Sequence, residues 1–346
     1  MPSKCAVVVN GMYCYDTHLR HLLAITMNFQ QILATVADDF AAVDHYILNH
    51  LDSRVPLVMQ VGHYLVEGGG KRLRPLLCLL AARATGYDGD KHIPLAAIIE
   101  MLHTATLIHD DVVDESDLRR GRATVNSAWN NATAVLVGDF LISRAFQLIL
   151  DLETPAISRL IADSTLVIAE GEVMQLINKR DPETPEQRYM DVIRGKTAQL
   201  FVTAAEGGAI LGNPEHRQAM HDFAMHFGAA FQIIDDVLDY ESSAAEMGKN
   251  VGDDLAEGKP TLPLIQAMKM AAPEDADLIR TAIRTGGLDS LPQILRIIRD
   301  TEALDYCRRK AREESVIALA ALETLPPSPH RSAMAALLDL GLNRTS

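Results

Sequence analysis

An all-α helical bundle is the fold class predicted by this 346-residue sequence, on three observations. Hydrophobic residues make up 48% of the chain while aromatics supply only 5%, so the apolar content rests on Ala, Leu, Ile, Val and Met. Apolar positions recur every three or four residues through most of the chain. No stretch alternates apolar and polar with the period of two that a half-buried strand requires.

Taken in order, the first periodic segment runs from Met27 to about His50, with Phe29, Ile32, Leu33, Val36, Phe40, Val43 and Ile47 on one face. Residues 1–26 carry no signal-peptide pattern, so they are expected either to be a disordered extension or to lie before the true translation start at Met27. A second helix spans about Val55 to Val66 and stops at Gly68-Gly69-Gly70. Lys71-Arg72-Leu73-Arg74-Pro75 then opens an apolar helix reaching Ala84, with Pro75 in the first turn. Glycines, cations and a helix start together make an anion site, although the spacing of a Walker loop is absent.

A long apolar helix from Ile93 to Val113 ends in Asp110-Asp111-Val-Val-Asp114. At ~100° per residue, carboxylates at i, i+1 and i+4 share one face and form a three-pronged claw. His103 lies two turns earlier at nearly the same angle. Arg119-Arg120-Gly121-Arg122 follows directly; such a loop either neutralises the acids or grips phosphate oxygens, and the bidentate geometry of arginine favours phosphate.

Helices are expected at about Thr124–Leu150, Ala156–Asn178 and Pro185–Leu211, the last carrying Lys196-Thr197 in its middle. Pro214 to Tyr240 then delivers a second claw, Asp235-Asp236-Val-Leu-Asp239. Two lysines on glycine-rich loops follow it, Lys249 and Lys259, as arginines follow the first. Short helices and turns complete the chain, with no linker and no low-complexity tract, so residues 27–346 form one domain.

Like charges at this spacing repel on a bare helix, and two such clusters after apolar runs call for hard divalent cations. Oxygen-only donors select Mg²⁺, which shares its shell with waters and substrate phosphates. Two claws, several cations and an apolar helical shell describe a site for two diphosphates and an oily body, and two diphosphates with six aspartates carry roughly −12 between them. About three Mg²⁺ together with Lys71, Arg74, Arg119, Arg120, Lys196, Lys249 and Lys259 offset that charge. A net charge of −14 argues against nucleic acid or an anionic membrane as standing partner. Four cysteines without paired spacing fit a reduced, cytoplasmic compartment, and no run of ~20 apolar residues suited to crossing a bilayer stands out.

Gly69-Gly70-Lys71-Arg72-Leu73-Arg74-Pro75, the first claw with Arg119-Arg120, Lys196-Thr197, Phe231-Gln232 with the second claw, and Gly258-Lys259-Pro260 occur in one order. In this the chain resembles the trans-isoprenyl diphosphate synthases, specifically the long-chain bacterial octaprenyl type that makes quinone side chains. The resemblance implies the isoprenoid synthase bundle, a homodimer, and cytoplasmic work with at most transient membrane contact at product release. It implies repeated condensation of farnesyl or geranylgeranyl diphosphate with isopentenyl diphosphate to octaprenyl length, with Mg²⁺ or, in its place, Mn²⁺.

By the same resemblance Asp110, Asp114 and Asp235 ligate the metal, and Asp111, Asp236 and Asp239 complete the claws. Arg119, Lys196, Thr197, Gln232, Lys249 and Lys259 hold the allylic diphosphate, while Lys71, Arg74, His103 and Arg120 hold isopentenyl diphosphate. Ala105 and Thr106, small residues with Leu102 a turn above, leave a tunnel open for a long product. A shorter-chain, geranylgeranyl-type synthase, a terpene cyclase and a non-catalytic subunit of a heteromeric synthase are the competing expectations. Both claws intact and a separate glycine-rich anion site weigh against the last two.

Overall fold

A computed structural model describes residues 8–9, 12–13, 27–241 and 251–344. Two-residue antiparallel ladders pair β1 (Val8–Val9) with β2 (Met12–Tyr13) and β3 (Leu118–Arg119) with β4 (Arg122–Ala123). These are the extended pieces that the absence of period-two alternation did not reveal. All other regular elements among the described residues are helical.

The segment expected to be one helix from Met27 is two, α1 (Phe29–Ala34) and α2 (Ala37–Asn49). Asn28 starts α1 with a capping box, its side chain accepting from the Gln31 amide at 2.9 Å while Gln31 returns the bond at 2.8 Å. The break falls at Thr35-Val36, two β-branched residues that are stiff in a helix, with Val36 at φ −140°. Next come α3 (Pro56–Glu67), α4 (Leu73–Ala84) and the long α5 (His92–Val113).

A second unforeseen break separates α6 (Val125–Ala128) from α7 (Asn131–Asp151). Asn130 takes an extended conformation and its side chain accepts from the Thr133 amide at 2.8 Å, so a new helix begins there instead of continuing. After α8 (Pro155–Asn178), α9 (Glu186–Val192) runs through one π-helical turn, Ile193–Ala198, into α10 (Gln199–Leu211). The chain then forms α11 (Arg217–Glu241), α12 (Asp253–Ala256), α13 (Leu262–Met270), α14 (Pro273–Thr285), α15 (Leu291–Asp300), α16 (Ala303–Leu322) and α17 (Pro329–Leu342).

Helices α4, α5, α10 and α11 are the inner layer. α11 lies along α16 and α10, α10 along α4, and α5 along α7. Pro75 to Ala82 on α4 is buried on every side, as a helix apolar all round must be. Phe201, Phe223 and Phe227 stack where α10 meets α11, with the Phe201 and Phe227 rings edge to face at 5.0 Å. Each such fully buried side chain stabilises the bundle by about 1.5–3 kcal/mol relative to exposure.

One helix corrects the reading of bilayer-length runs: Asn131–Asp151 is long and apolar enough by composition to cross a membrane. Its Ala, Gly, Thr and Asn residues dilute the visual signal of an apolar run. Only 44% of its most apolar window is buried within the chain.

Candidate active site

Both acidic clusters sit at or near the C-terminal end of a helix. Asp110 and Asp111 occupy the last turn of α5 and Asp114 is its C-cap; Asp235, Asp236 and Asp239 lie in the last two turns of α11. Free carbonyls make a helix C-terminus partially negative, so each carboxylate there costs about 0.3–1 kcal/mol unless a cation answers it.

At the first cluster the chain supplies those cations from four places. Arg119 donates through Nε and Nη2 to Asp111 Oδ1 at 2.8 and 2.7 Å. Lys196 Nζ stands 3.2 Å from Asp110, while Lys259 and Lys179 approach the two oxygens of Asp114 at 3.0 and 3.3 Å. Buried Asp111 is nonetheless held above the ordinary carboxylate range, because desolvation outweighs Arg119. Asp114 lies below its ordinary value: burial opposes the charge, but the three lysines prevail.

The second cluster is answered mainly by neutral groups. Asp236 is buried and accepts from Tyr189 Oη at 2.6 Å and Gln232 Nε2 at 2.7 Å. Asp239 accepts from the Asp254 amide at 3.3 Å. Burial, reinforced by the neighbouring Asp254 charge, pushes Asp236 well above its ordinary value and Asp239 up to about 8. Asp235, half exposed, pairs with Arg344 at 3.0 Å.

The π-helical turn joins the two clusters. Its Lys196 reaches Asp110 and also binds Glu172 at 2.5 Å and Gln175 at 2.8 Å. The next residue, Thr197, donates to Gln232 Oε1 at 3.1 Å, and Gln232 donates to Asp236. A single-turn bulge inserts one residue and swings successive side chains toward different partners, which is the usual reason such turns sit at functional sites.

Beside the first claw lies a cavity of about 110 Å³ lined in part by Gly69, Arg72, Glu100, His103, Arg119 and Arg120. Burial first, then Arg74, Arg120 and Arg119, hold His103 well below its ordinary pKa, so its ring is neutral and Nε2 accepts from Arg74 at 3.1 Å. Arg74 is partly buried and stacked 4.3 Å over the Phe201 ring, with Nε buried and unpartnered. Gly70, at φ 146°, lies where a Cβ would strike the Arg120 guanidinium. Lys71 lies within electrostatic reach of Arg344 and Asp235, on the side of the second claw.

Of the residues singled out in the sequence, Lys249 lies outside the described residues. Upstream of Asp110, Ala105 is fully buried and Leu102 nearly so, whereas Thr106 is partly open and bonds back to the His103 carbonyl at 2.8 Å. Sequence reasoning missed Lys179, Glu172, Gln175, Tyr189, Asp254, Glu257 and Arg344. Gly195, a glycine amid a helical pattern just before Lys196, was a usable signal for the bulge; Lys179 and Arg344 carried none, since only folding brings them to the claws.

A hard divalent cation fits this donor set. Among the described residues no three His, Cys, Asp or Glu side chains are gathered into a ready cage. The donors are all carboxylate oxygens, and burial with the neighbouring Asp254 charge leaves Asp236 and Asp239 short of counter-charge among the described residues. That is the condition of a site completed by an ion, waters and substrate oxygens together.

Two acid-bearing helix ends edged with lysines and arginines, inside an all-α isoprenoid synthase bundle, define a prenyltransferase. The chain belongs to the polyprenyl synthetase family, whose model matches residues 55–298. It is 57% identical to the all-trans-nonaprenyl-diphosphate synthase (geranyl-diphosphate specific) of Rhodobacter capsulatus, over 91% of this chain and 98% of the relative. With the octaprenyl diphosphate synthase of Escherichia coli strain K12 it shares 49% identity, over 92% of this chain and 99% of the relative. Among solved structures, the polyprenyl synthase of Caulobacter crescentus CB15, complexed with calcium and isoprenyl diphosphate, superposes with a TM-score of 0.89 at 37% identity. That match covers 92% of this chain and 98% of the other.

Proposed function

We propose that this chain is a long-chain trans-polyprenyl diphosphate synthase. It elongates an allylic diphosphate with isopentenyl diphosphate to octaprenyl or nonaprenyl length, for the side chain of a respiratory quinone. One observation carries the reading: Lys196 and Thr197 tie the two carboxylate clusters into one site with a cation-lined cavity beside it. Relatives named for octaprenyl and nonaprenyl products support the length.

Asp110, Asp114 and Asp235, the more open members of the claws, would hold Mg²⁺, with Asp111, Asp236 and Asp239 set behind them by hydrogen bonds. Bound there, Mg²⁺ supplies Lewis-acid stabilisation to the leaving diphosphate. Arg119, Lys196 and Lys259 bind its oxygens and keep that charge stabilisation preorganised. Arg74, Arg120 and neutral His103 orient isopentenyl diphosphate at the cavity, where its double bond attacks the allylic carbon. The released diphosphate accepts the proton. Apolar helix faces exclude the water that would quench the carbocation.

Leu136, Phe146 and Leu150 on α7 and Leu166, Leu176 and Ile177 on α8 are exposed. A second copy of the chain covering this face accounts for an apolar helix half unburied, and we read a homodimer there in place of a membrane span. Light scattering of the purified protein tests the dimer; a monomer at micromolar concentration rejects it.

Mass analysis of products from farnesyl diphosphate, isopentenyl diphosphate and Mg²⁺ tests the activity. All-trans octaprenyl or nonaprenyl diphosphate is expected. Cyclised hydrocarbon from farnesyl diphosphate alone would make the protein a cyclase, and a purified homo-oligomer that elongates nothing would make it a non-catalytic subunit.

A further inference from the structure

Asp114 receives one ammonium on each oxygen, Lys259 on Oδ2 and Lys179 on Oδ1. The two lysines come from chain segments that lock to each other. Lys179 closes α8, its amide donating to the Gln175 carbonyl at 2.9 Å. Arg180 then turns left-handed, at φ 65°, and its amide donates to the Gly258 carbonyl at 2.7 Å. A Cβ on Gly258 would lie 2.7 Å from Arg180 Cγ, so the contact depends on glycine there. Buried Asn178 braces the same turn through its carbonyl, which accepts from the Asp181 amide at 3.0 Å.

Lys179 is therefore held in the site, its side chain 22% exposed, by backbone that also holds Lys259. Lys259 has a second carboxylate, Glu257, whereas Asp114 is the acceptor that the described residues give Lys179. When Asp114 turns to a metal ion, Lys259 keeps a partner and Lys179 requires another. An ammonium offers three donors, and a phosphate oxygen is the acceptor that the reaction brings to this spot.

We propose that Lys179 is a substrate-binding residue which, beside Lys259, holds the outer phosphate of the allylic diphosphate and shields Asp114 before substrate arrives. The inference rests on the reading of the site given under the proposed function. Inorganic pyrophosphate with Mg²⁺ serves as the probe, titrated calorimetrically into wild type, Lys179→Ala, Lys179→Gln and Lys179→Arg. Steady-state KM values for farnesyl diphosphate and isopentenyl diphosphate are measured in parallel.

The alanine and glutamine variants are expected to bind pyrophosphate about tenfold more weakly and to raise the farnesyl diphosphate KM by a similar factor. Isopentenyl diphosphate KM should stay within about twofold of wild type, and arginine should recover most of the loss, since it keeps the charge and the donors. Glutamine preserves the length of the stem should alanine unsettle the turn. Wild-type pyrophosphate affinity in the neutral variants overturns the role of Lys179 alone. So does equal weakening of both substrates without rescue by arginine, which marks a bracing role. Failure of wild type itself to bind pyrophosphate with Mg²⁺ would remove the functional reading and this inference with it.

Discussion

Replacing Gly171 with alanine tests whether the π-helical turn is what builds the site. Gly171 on α8 faces that turn so closely that an added Cβ would lie 2.7 Å from the Lys196 nitrogen, 3.0 Å from the Gly195 carbonyl carbon and 3.2 Å from Lys196 Cα. All three are backbone atoms, so no side chain can swing aside. An ordinary contact of about 3.5 Å requires the turn to retreat by somewhat under 1 Å, at a cost of about 1–3 kcal/mol for overpacking. The retreat carries Lys196 away from Asp110, now at 3.2 Å, and Thr197 away from Gln232, at 3.1 Å. Misplacement of a catalytic constellation by ~1 Å costs up to roughly 100-fold in rate. Single-turnover elongation with saturating substrates should therefore slow by about 10- to 100-fold, with a melting temperature lowered by a few degrees. Gly195→Ala is the matched control, because its Cβ would meet nothing closer than 3.5 Å and its φ suits any residue. Wild-type turnover in Gly171→Ala, or the same loss in both variants, would refute the argument.

Thr106→Phe should shorten the product to farnesyl or geranylgeranyl length, since Thr106 is partly open one turn above Asp110; unchanged product masses would remove it from the ruler. Ala105→Tyr, at a fully buried position, should instead lose about 1–3 kcal/mol of stability, seen as a lower melting temperature. Away from the site, Glu206 on α10 accepts from His221 at 3.2 Å and is also paired with Arg217. Its hydrogen bond to Glu206 raises His221 above the ordinary value; Glu206 ends below its own because these partners outweigh burial. The histidine's share of stability is complete below pH ~6.5 and fades as pH rises through its raised value, while the glutamate's share fades on acidification below ~4.5. His221→Gln should flatten the fall in melting temperature above pH ~6.5, a contribution of about 0.5 kcal/mol after solvent screening; a parallel profile would reject the pairing.

Long elements were legible because burial on one face leaves a periodic trace. The helices His92–Val113 and Arg217–Glu241, with both claws near their ends, are clear in the spacing of apolar residues, mostly Leu and Ile in the first and Met, Phe, Ala and Ile in the second. The breaks at Thr35-Val36 and Trp129-Asn130 were not, since apolar period continues across them and local causes decide the matter, two β-branched residues at the first and the Asn130 cap at the second. The cations after each claw were visible as runs, and Arg119 does meet Asp111. Lys179, Tyr189 and Arg344 were hidden for a different reason: each reaches the site from an element whose approach is set by tertiary packing, as when Tyr189 on α9 comes to lie against Asp236 on α11.

The two claws are not electrically equivalent, and the difference says what each is for. Lys179, Lys196, Lys259 and Arg119 match the first from within the chain, whereas among the described residues the second has Arg344 on its open member and neutral donors or a backbone amide on the buried pair. An aspartate raised from its ordinary value to about 8 by burial and by Asp254 binds its proton more tightly folded than unfolded. Its effect is therefore absent below pH ~4, and it destabilises increasingly as pH rises from ~4 to ~8. Asp239→Asn removes that charge while keeping an acceptor for the Asp254 amide. In the presence of a chelator the variant should melt above wild type by a margin that grows between pH 5 and pH 8, on the order of 0.5–2 kcal/mol. Added Mg²⁺ should reverse the order, because a cation that binds the folded state stabilises it by RT ln(1 + [L]/Kd) and the variant has lost a ligand. A variant equally stabilised by Mg²⁺, or no more stable without it, would mean that the second claw is not held short of charge for a metal to supply.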